Sequence, residues 1–477
     1  MTEHIKSNYN YFRRMKFKRI WDTIKEAVAG TSQDFTKGSL PRAIFLLSVP
    51  MVLEMIMESV FAVADIFFVS RLGADAVATV GITESIMTLV YALSIGLAMA
   101  TTAMVSRRIG EQKPKEAATT AFQAIITGLS ISIVIAIPGY IFAEDILKLM
   151  GASGKMVTEL SGYTKIMFAG NAVIMLLFII NAIFRSAGDA AIAMRVLWIA
   201  NILNIILDPC LIFGIGPFPE LGIKGAAIAT NIGRGTAVVY QLFILFNGKR
   251  RIKLSWREVQ VRFDLIYRLI KISLGGIGQN IIATSSWIGL MRIVSIYGSE
   301  VLAAYTIAIR IIIFSLLPSW GISNAAATLV GQNLGAKQPE RAERSIWITG
   351  RVNMILMGFI SIFFITMPEF FIQLFIQDAK VVEVGGVCLR ILSYGFLAYG
   401  LGMVLINSLN GAGDTKTPTL INFLSFWMIE IPLAYFLAII AGFEENGVFI
   451  SVVIAEIFMV SIAYYFVKRG KWKLKQV

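Results

Sequence analysis

The amino-acid sequence predicts an all-α polytopic membrane protein, with twelve transmembrane helices in two pseudo-twofold related six-helix lobes around a central cleft. Three observations lead to this prediction. Of the 477 residues, 57% are hydrophobic and 15% are charged, whereas a soluble domain has about 25% charged residues. Apolar runs of about 20 residues, long enough to cross a bilayer, recur along the chain. Segments of the first half also recur in the second half at a constant spacing.

Twelve apolar spans follow one another along the chain. Because hydrocarbon leaves exposed backbone groups without hydrogen-bond partners, each span is predicted to be a helix. The predicted spans are 41–70, 75–106, 117–143, 157–186, 190–214, 222–247, 264–296, 301–333, 341–368, 380–410, 417–441 and 446–467. The predicted domains are a basic N-terminal segment (1–40), a first lobe (41–247), a linker (248–263), a second lobe (264–468) and a basic tail (469–477).

The basic residues predict the orientation. With the N-terminus placed inside, the inside segments hold 31 Lys and Arg residues and the outside loops hold 5. Cytoplasmic loops of membrane proteins carry such an excess, so both termini are expected in the cytoplasm. This bias explains most of the net charge of +13 without a nucleic-acid partner. Segment 16–28 has two interpretations, a short helix on the membrane surface or part of a disordered basic tail.

The repeat is visible in short loop motifs. RRIGEQKPKEA (107–117) recurs as QNLGAKQPERA (332–342), and SAGDA (186–190) recurs as GAGDT (411–415), both at the offset that aligns Gly110 with Gly335. An even number of spans per half gives both halves the same orientation, which predicts a pseudo-twofold axis along the membrane normal. Secondary transporters of this architecture rock two halves around a central site.

The first span contains three carboxylic acids, Glu54, Glu58 and Asp65. At about 100° per residue, all three fall on one stripe of a helix. A charge at the bilayer centre costs about 2.5–3.5 kcal/mol, so we expect the stripe to face a wet cleft, where the acids bind protons or cations. The alternative is pairing with a basic residue of another helix, such as Arg292 or Lys271.

The fifth span adds Asn204 and Asp208, which are four residues apart and share a helix face. Carboxylate and amide oxygens suit a proton or a hard cation. The sequence therefore predicts a coupling site, including a candidate Na⁺ site, at Asp65, Asn204 and Asp208. Asn181 and Thr230, on neighbouring spans, either add oxygens to this site or hold helices together.

The acids are not repeated in the second half. Shifted by the same offset, they fall on Gln279, Ala283, Leu290 and Leu433. The ion chemistry is therefore assigned to the first half, and Glu430 and Glu456 of the second half are assigned to substrate or packing. The predicted cleft residues are Glu54, Glu58, Gln279 and Trp287, with Met55, Met57, Phe61 and Phe314 as further candidates; for each aromatic or Met residue, packing or lipid contact is the alternative.

Pro50 of the first span leaves the carbonyl of Leu46 without its helical partner, which predicts either a hinge or a plain kink. Cys210 and Cys388 are predicted to be packed thiols rather than a disulfide. The single histidine, His4, argues against histidine-based catalysis and histidine metal sites. No phosphate-binding G-x-x-x-x-G-K-[ST] motif occurs, so an ATP-driven pump would need that chemistry on another chain. Because no nucleophile–base pair or metal motif appears, the sequence predicts neither an enzyme nor a cofactor besides a coupling ion.

Several of these motifs resemble the multidrug and toxic compound extrusion (MATE) transporters. They are VADIFFVSRLGADAVATVGI, the loops GEQKPKEA and GAKQPERA, and the paired GD turns. The resemblance covers residues 41–468 and is greatest to the DinF-like branch. It implies that Asp65, Asn204 and Asp208, with Asn181 and Thr230, form the ion-coupling set.

The resemblance implies a monomeric antiporter of a prokaryotic cytoplasmic membrane, which exports amphipathic or cationic organic compounds in exchange for H⁺ or Na⁺ by alternating access. A flippase for lipids or lipid-linked oligosaccharides is the alternative, although its anionic substrates would favour a cation-lined cleft. An ion channel or receptor is a third class. Channels usually arrange polar groups symmetrically around the pore, whereas these acids lie in one half.

Overall fold

Helices occupy all twelve predicted spans. The computed structural model describes residues 21–31, 33–248, 250–255 and 260–477, and no β-strand occurs among them. The twelve spans are α1 (Leu40–Ser70), α2 (Ala74–Gly110), α3 (Pro114–Ile141), α4 (Gly154–Ala169 with Asn171–Ala187), α5 (Ala190–Phe213), α6 (Ile223–Asn247), α7 (Phe263–Val294), α8 (Ser299–Gly335), α9 (Pro339–Thr366), α10 (Ala379–Ser393 with Phe396–Gly411), α11 (Lys416–Ile440) and α12 (Glu444–Arg469). The short helices Ala143–Leu149 and Pro368–Gln373 precede α4 and α10.

Ten of these helices, within the described ranges, are long and apolar enough to cross a membrane, when the two segments of α10 count as one. Those two segments meet at 54°. The other two helices are long enough but more polar: α6 carries Lys224 and Arg234, and α7 carries Gln279 and Asn280. The prediction of an all-α polytopic membrane protein is confirmed.

The offset that aligns Gly110 with Gly335 relates helices as well as loops. Helices α2 and α8 begin and end at positions related by this offset, and so do α3 and α9. The turns before α3 and α9 also match, since Gln112 and Lys337 have φ values of 60° and 59°. Residues other than glycine rarely adopt this left-handed region. The two halves therefore share backbone detail that a chance similarity of short motifs would not produce.

Each half has an apolar core. One buried cluster lies within residues 69–269, and a second lies within residues 290–449, where the rings of Tyr305 and Phe449 stack at 6.0 Å. Cys388 is buried in the second core, and both it and Cys210 are free thiols. The halves meet where α1 packs on α8 and α2 packs on α7. These two helix pairs are equivalent under the repeat.

The two halves are in tight contact on one face of the protein. This face comprises residues 21–39, 111–113, 336–338 and 470–477 and is here called the basic face. A Cβ atom at Gly110 would overlap the carbonyl oxygen of Gln332, and one at Gly335 would overlap that of Arg107. Gln332 Nε2 also donates a hydrogen bond of 2.7 Å to the carbonyl of Ser186. The basic face is therefore closed in this structure.

The described part of the N-terminal segment lies on protein. Residues 21–29 are helical, and Ala27 and Phe35 are each 1% exposed. Both belong to a buried cluster with Ala190 of α5 and Leu329 of α8, so the segment bridges the two halves on the basic face. Residues 16–20 of the predicted surface helix lie outside the described residues.

Candidate functional site

A central cavity of about 200 Å³ lies between the halves, and residues of both halves line it. The first half contributes its charged groups, and α8 and α10 of the second half contribute amides and an indole. Apolar side chains of α1, α2, α4, α5 and α8 complete the wall. The charged and polar lining residues that matter below are Glu54, Glu58, Asn181, Arg185, Arg234, Trp320, Asn324, Asn407 and Asn410.

Glu54 of α1 is anchored to α4. Arg185 Nη1 donates to Glu54 Oε1 over 3.0 Å, and Asn181 Nδ2 donates to the same oxygen over 3.2 Å. Gln241 Nε2 of α6 donates in turn to Asn181 Oδ1 over 2.5 Å. Glu54 is only 1% exposed. Its negative charge is therefore compensated within the wall of the cavity.

Glu58, one turn further along α1, is anchored to α5 and α6. Arg234 Nη2 donates to Glu58 Oε1 over 3.1 Å, and Asn201 Nδ2 donates to Oε2 over 3.1 Å. Arg234 Nη1 also donates to the hydroxyl of Tyr91 over 3.4 Å. The side chain of Glu58 is 33% exposed. Glu58 is thus the carboxylate that the cavity presents to a bound molecule.

Both glutamates therefore form ion pairs with another helix, as the alternative interpretation of the sequence allowed. Their partners are Arg185 and Arg234 rather than Arg292 or Lys271. Arg185 falls at the end of the fourth predicted span; in the structure it lies in the last turn of α4, and its side chain lines the cavity. Arg234 had a signal in the sequence, since it is the one arginine inside the sixth predicted span.

A second polar site lies between α5 and α6. Asn204 Nδ2 approaches Asp208 Oδ1 at 3.4 Å and Thr230 Oγ1 at 3.3 Å. Asp208 is 0% exposed and Asn204 is 1% exposed. Gly233 permits this geometry, because its absent Cβ would lie 2.8 Å from the carbonyl oxygen of Ala200 and 3.1 Å from Asn204 Cβ. The helices approach closely enough to bury all three polar groups together.

Asp65 of α1 lies close enough to this site to interact electrostatically with Asp208. Tyr163 of α4, which is 4% exposed, and Glu84 of α2 are also within its electrostatic range. Neither Tyr163 nor Glu84 was singled out from sequence, because nothing in their own spans relates them to an acid on α1. Asp65 does not line the central cavity.

The predicted ion-coupling set is therefore divided. Asn204, Asp208 and Thr230 lie together, with Asp65 nearby, whereas Asn181 lies in the central cavity and bonds to Glu54. Asp208 Oδ2 and Asn204 Oδ1 are buried and have no hydrogen-bond partner. Buried oxygen atoms without a hydrogen-bond partner are suited to binding a proton or a hard cation such as Na⁺. No cluster of three His, Cys, Asp or Glu residues suited to a metal occurs in the described ranges.

Two predicted cleft residues lie elsewhere. Gln279 is 4% exposed and exchanges two hydrogen bonds of 3.0 Å with Asn410, so it supports a cavity residue from behind. Trp287 is 39% exposed and is not part of the cavity wall, where the indole is that of Trp320. The periodicity of α7 does not reveal which of its faces meets α10, so these positions depended on packing.

Pro50 is buried within α1, which continues as one helix through it. Directly beside it, a Cβ atom at Gly321 of α8 would lie 2.8 Å from the carbonyl oxygen of Met51. Helix α8 therefore supports α1 backbone to backbone at the predicted hinge. The hinge itself stays a prediction.

The two acids of the second half are also buried. Ser286 Oγ of α7 donates to Glu430 Oε2 over 2.6 Å, and Glu456 Oε2 has no hydrogen-bond partner. Each is 6% exposed. Neither lines the central cavity, so direct contact with a molecule bound there is not supported.

Comparisons with known proteins agree with this architecture. The MatE family model matches residues 50–210 and 277–436, which is once in each half. The chain is 26% identical over 457 residues to YoeA, a probable multidrug resistance protein of Bacillus subtilis, and the match covers 94% of this chain and 97% of YoeA. It is 25% identical over 434 residues to NorM, a probable multidrug resistance protein of Thermotoga maritima, covering 90% and 93% of the two chains.

Solved structures show the same fold. A MOP-superfamily transporter from Pyrococcus furiosus superposes with a TM-score of 0.86 at 22% sequence identity, covering 93% of this chain and 98% of that one. The family match spans both halves and includes the helices that carry Glu54, Glu58, Asp65 and Asp208. The chain belongs to the MatE family, the multidrug and toxic compound extrusion transporters.

Proposed function

We propose that the chain is a secondary antiporter that exports amphipathic organic compounds, many of them cationic, in exchange for H⁺ or Na⁺. One observation carries the proposal: α1 holds acids at two separate sites. Glu54 and Glu58 face the central cavity, and Asp65 lies within electrostatic range of the buried Asp208. A single helix therefore connects a site wide enough for an organic molecule with a site sized for an ion.

The cavity is suited to an amphipathic molecule. Glu58 offers a partly exposed carboxylate to a cationic group, and Trp320, Phe178 and Met55 offer apolar and aromatic surface. An aromatic face attracts cations, and methionine adapts to ligands of different shape. These features support a broad preference for apolar compounds with a positive group. The names of YoeA and NorM favour drug export over lipid-linked substrates.

The ion site would act through the same helix. Asp65 and the buried Asp208 repel each other electrostatically, and binding of H⁺ or Na⁺ would neutralise this repulsion. A changed charge beside α1 would alter the packing of α1 between α5 and α8. Coupling requires that ion and substrate favour different conformations of the protein.

The two conformations would differ in the face that opens. The basic face is closed by the contacts of Gly110 and Gly335, which would separate when substrate enters from that side. The excess of Lys and Arg on that face supports its assignment to the cytoplasm. Substrate would then leave, and the coupling ion would enter, through the opposite face.

Dye transport in everted membrane vesicles tests this function. The wild-type protein is compared with Asp65→Asn and with Asp75→Asn, an exposed acid at the start of α2. We expect the wild type and Asp75→Asn to move ethidium under an imposed proton gradient or an imposed sodium gradient, and Asp65→Asn to lose this response. Equal gradient-driven transport by Asp65→Asn would remove Asp65 from the coupling site. No transport by the wild type under either gradient would contradict cation-driven drug export.

A further inference from the structure

Arg234 of α6 lies against one face of α1. Glu58, Phe61 and Asp65 are spaced by three and four residues, so their side chains share that face. The guanidinium carbon of Arg234 lies 5.1 Å from the ring centroid of Phe61, and Nη2 lies 3.1 Å from Glu58 Oε1. Asp65 follows Phe61 by about one helical turn. Arg234 therefore packs on the face of α1 that carries a cavity acid and an acid of the proposed ion site.

Arg234 interacts electrostatically with both acids. Arg234 attracts Asp65 and Glu58 electrostatically, and it also attracts Glu84 of α2. Tyr91 of α2 and Tyr163 of α4 also interact electrostatically with it, and Arg310 of α8 acts on the same Glu84. Arg234 is 6% exposed, so water screens these interactions weakly.

The guanidinium group has hydrogen-bonding capacity to spare. It carries five N–H donors in a fixed fork, of which Nη2 serves Glu58 and Nη1 serves Tyr91. Its Nε is buried and has no acceptor. A buried donor without a partner raises the free energy of the folded state. Because one donor is unpartnered, a complete set of hydrogen bonds does not hold Arg234 on Glu58.

We propose that Arg234 is a positioning residue that couples the two sites. The charge of Asp65 changes how fully Arg234 compensates the charge of Glu58, and this compensation sets how strongly the cavity attracts a cation. With Asp65 negative, two acids share the charge of Arg234, and Glu58 keeps attraction for a cationic molecule. With Asp65 neutralised by the coupling ion, Arg234 compensates Glu58 alone, and the cationic molecule is released. The inference rests on the proposed function, since it assumes that Asp65 receives the coupling ion.

A purely structural ion pair would behave differently. If Arg234 only fastened α6 to α1, the charge at Asp65 would leave the affinity of the cavity unchanged. If Asp65 attracted the cation directly over a distance, its neutralisation would weaken binding with or without Arg234. A double-mutant cycle separates these cases, since it isolates the interaction energy between two positions.

The test measures dye binding by fluorescence, using purified full-length protein in detergent without an ion gradient. The probes are ethidium and an uncharged phenanthridine with the same ring system. We expect Asp65→Asn to weaken ethidium binding about tenfold, within the roughly 5–150-fold range of coupling between sites, and to change phenanthridine binding less than about twofold. In an Arg234→Gln background, Asp65→Asn should leave ethidium binding unchanged.

A second cycle covers the case in which Arg234→Gln does not fold. In a Glu58→Gln background, Asp65→Asn should also leave ethidium binding unchanged, because Glu58 no longer carries the charge that Arg234 compensates. Asp75→Asn is the matched control and should bind both probes as the wild type does. An equal loss of ethidium binding with and without Arg234, or with and without the charge of Glu58, would overturn the inference.

The transport experiment tests the proposed function, and the binding experiment tests the role of Arg234, so each can contradict its proposal separately. Loss of gradient-driven transport in Asp65→Asn together with an unchanged affinity for ethidium would keep the proposed function and overturn the role of Arg234. Retained transport in Asp65→Asn would instead contradict the proposed coupling site itself.

Discussion

Arg185 of α4 and Glu54 of α1 form an ion pair of 3.0 Å in which the acid is 1% exposed and the base is 12% exposed. The neighbouring pair has the opposite arrangement, because Glu58 is 33% exposed and Arg234 only 7%. The cavity wall therefore presents a positive group beside α4 and a negative group beside α6. Its net charge is balanced, although single charges remain accessible to a bound molecule.

The Glu54–Arg185 pair should stabilise the fold only while both members are present. Arg185→Met would leave Glu54 charged and almost fully buried. We expect a loss of about 2–3 kcal/mol, somewhat less than for a dry pair, because the cavity partly solvates Arg185. Adding Glu54→Leu should restore part of the loss. Thermal unfolding of the purified protein in detergent measures both, and an additive loss in the double variant would contradict this account.

Gly233 should be important for the polar site of Asn204, Asp208 and Thr230. In Gly233→Ala the added methyl group would press on the backbone of Ala200 and on Asn204, so α5 and α6 would move apart at Thr230. We expect a destabilisation of about 1–3 kcal/mol, with reduced gradient-driven transport. Gly235→Ala, two residues further on, is the control, since its Cβ would meet nothing nearer than 4.0 Å. Thermal unfolding and vesicle transport are measured for Gly233→Ala and Gly235→Ala. Equal behaviour of the two variants would refute the prediction.

Gly110 should determine how tightly the basic face closes. In Gly110→Ala the added methyl group would overlap the backbone of Gln332. This overlap would favour conformations in which the basic face is open. The readout is labelling of Asn324→Cys in the cavity by a membrane-impermeant maleimide, in everted vesicles of a Cys210→Ser/Cys388→Ser background.

We expect labelling of this cavity cysteine to rise severalfold in Gly110→Ala. The control is Gly81→Ala in the same helix, whose Cβ would meet nothing within 4 Å. Labelling at the same rate in both variants would show that the contact of Gly110 does not limit opening.

Arg341 of α9 should hold the N-terminal segment in place. It donates to the carbonyls of Gly38, Lys37 and Phe35 over 2.9, 3.0 and 3.3 Å. Bonds from a charged donor contribute about 1.5–3 kcal/mol each when well formed. In Arg341→Ala we expect amide hydrogen exchange in residues 21–39 to accelerate at least about tenfold.

The matched control for this measurement is Arg344→Ala, an exposed arginine about one turn further along α9. It should leave the exchange of residues 21–39 unchanged. Unchanged exchange in Arg341→Ala would mean that Phe35 and Ala27 hold the segment through apolar packing alone.

Much of the fold could be predicted because hydropathy and repetition are local properties of the chain. The constant offset seen in the motifs around Gly110 and Gly335 also places the ends of α2, α3, α8 and α9. Asn204 and Asp208 could be paired for the same reason, since a separation of four residues on one helix fixes a shared face.

Other relationships could not be predicted, because they join helices distant in sequence. The partner of Glu54 is 131 residues away and that of Glu58 is 176 residues away. Asn181 resembled a member of the ion site by type and span, yet the rotation of α4 turns it to Glu54. Gln279 and Trp287 do not line the cavity, and the packing of α7 that decides this cannot be read from its periodicity.

The sequence by itself determined the membrane fold, the repeat and the helix that carries the acids, because the bilayer imposes span length and hydrophobicity on each segment independently. Only the tertiary structure decided that Glu54 and Glu58 are paired with Arg185 and Arg234, while Asp65 lies outside the cavity wall and within electrostatic range of Asp208. The energy of a buried charge depends on which groups surround it in space, and close packing of the helices brings those groups together.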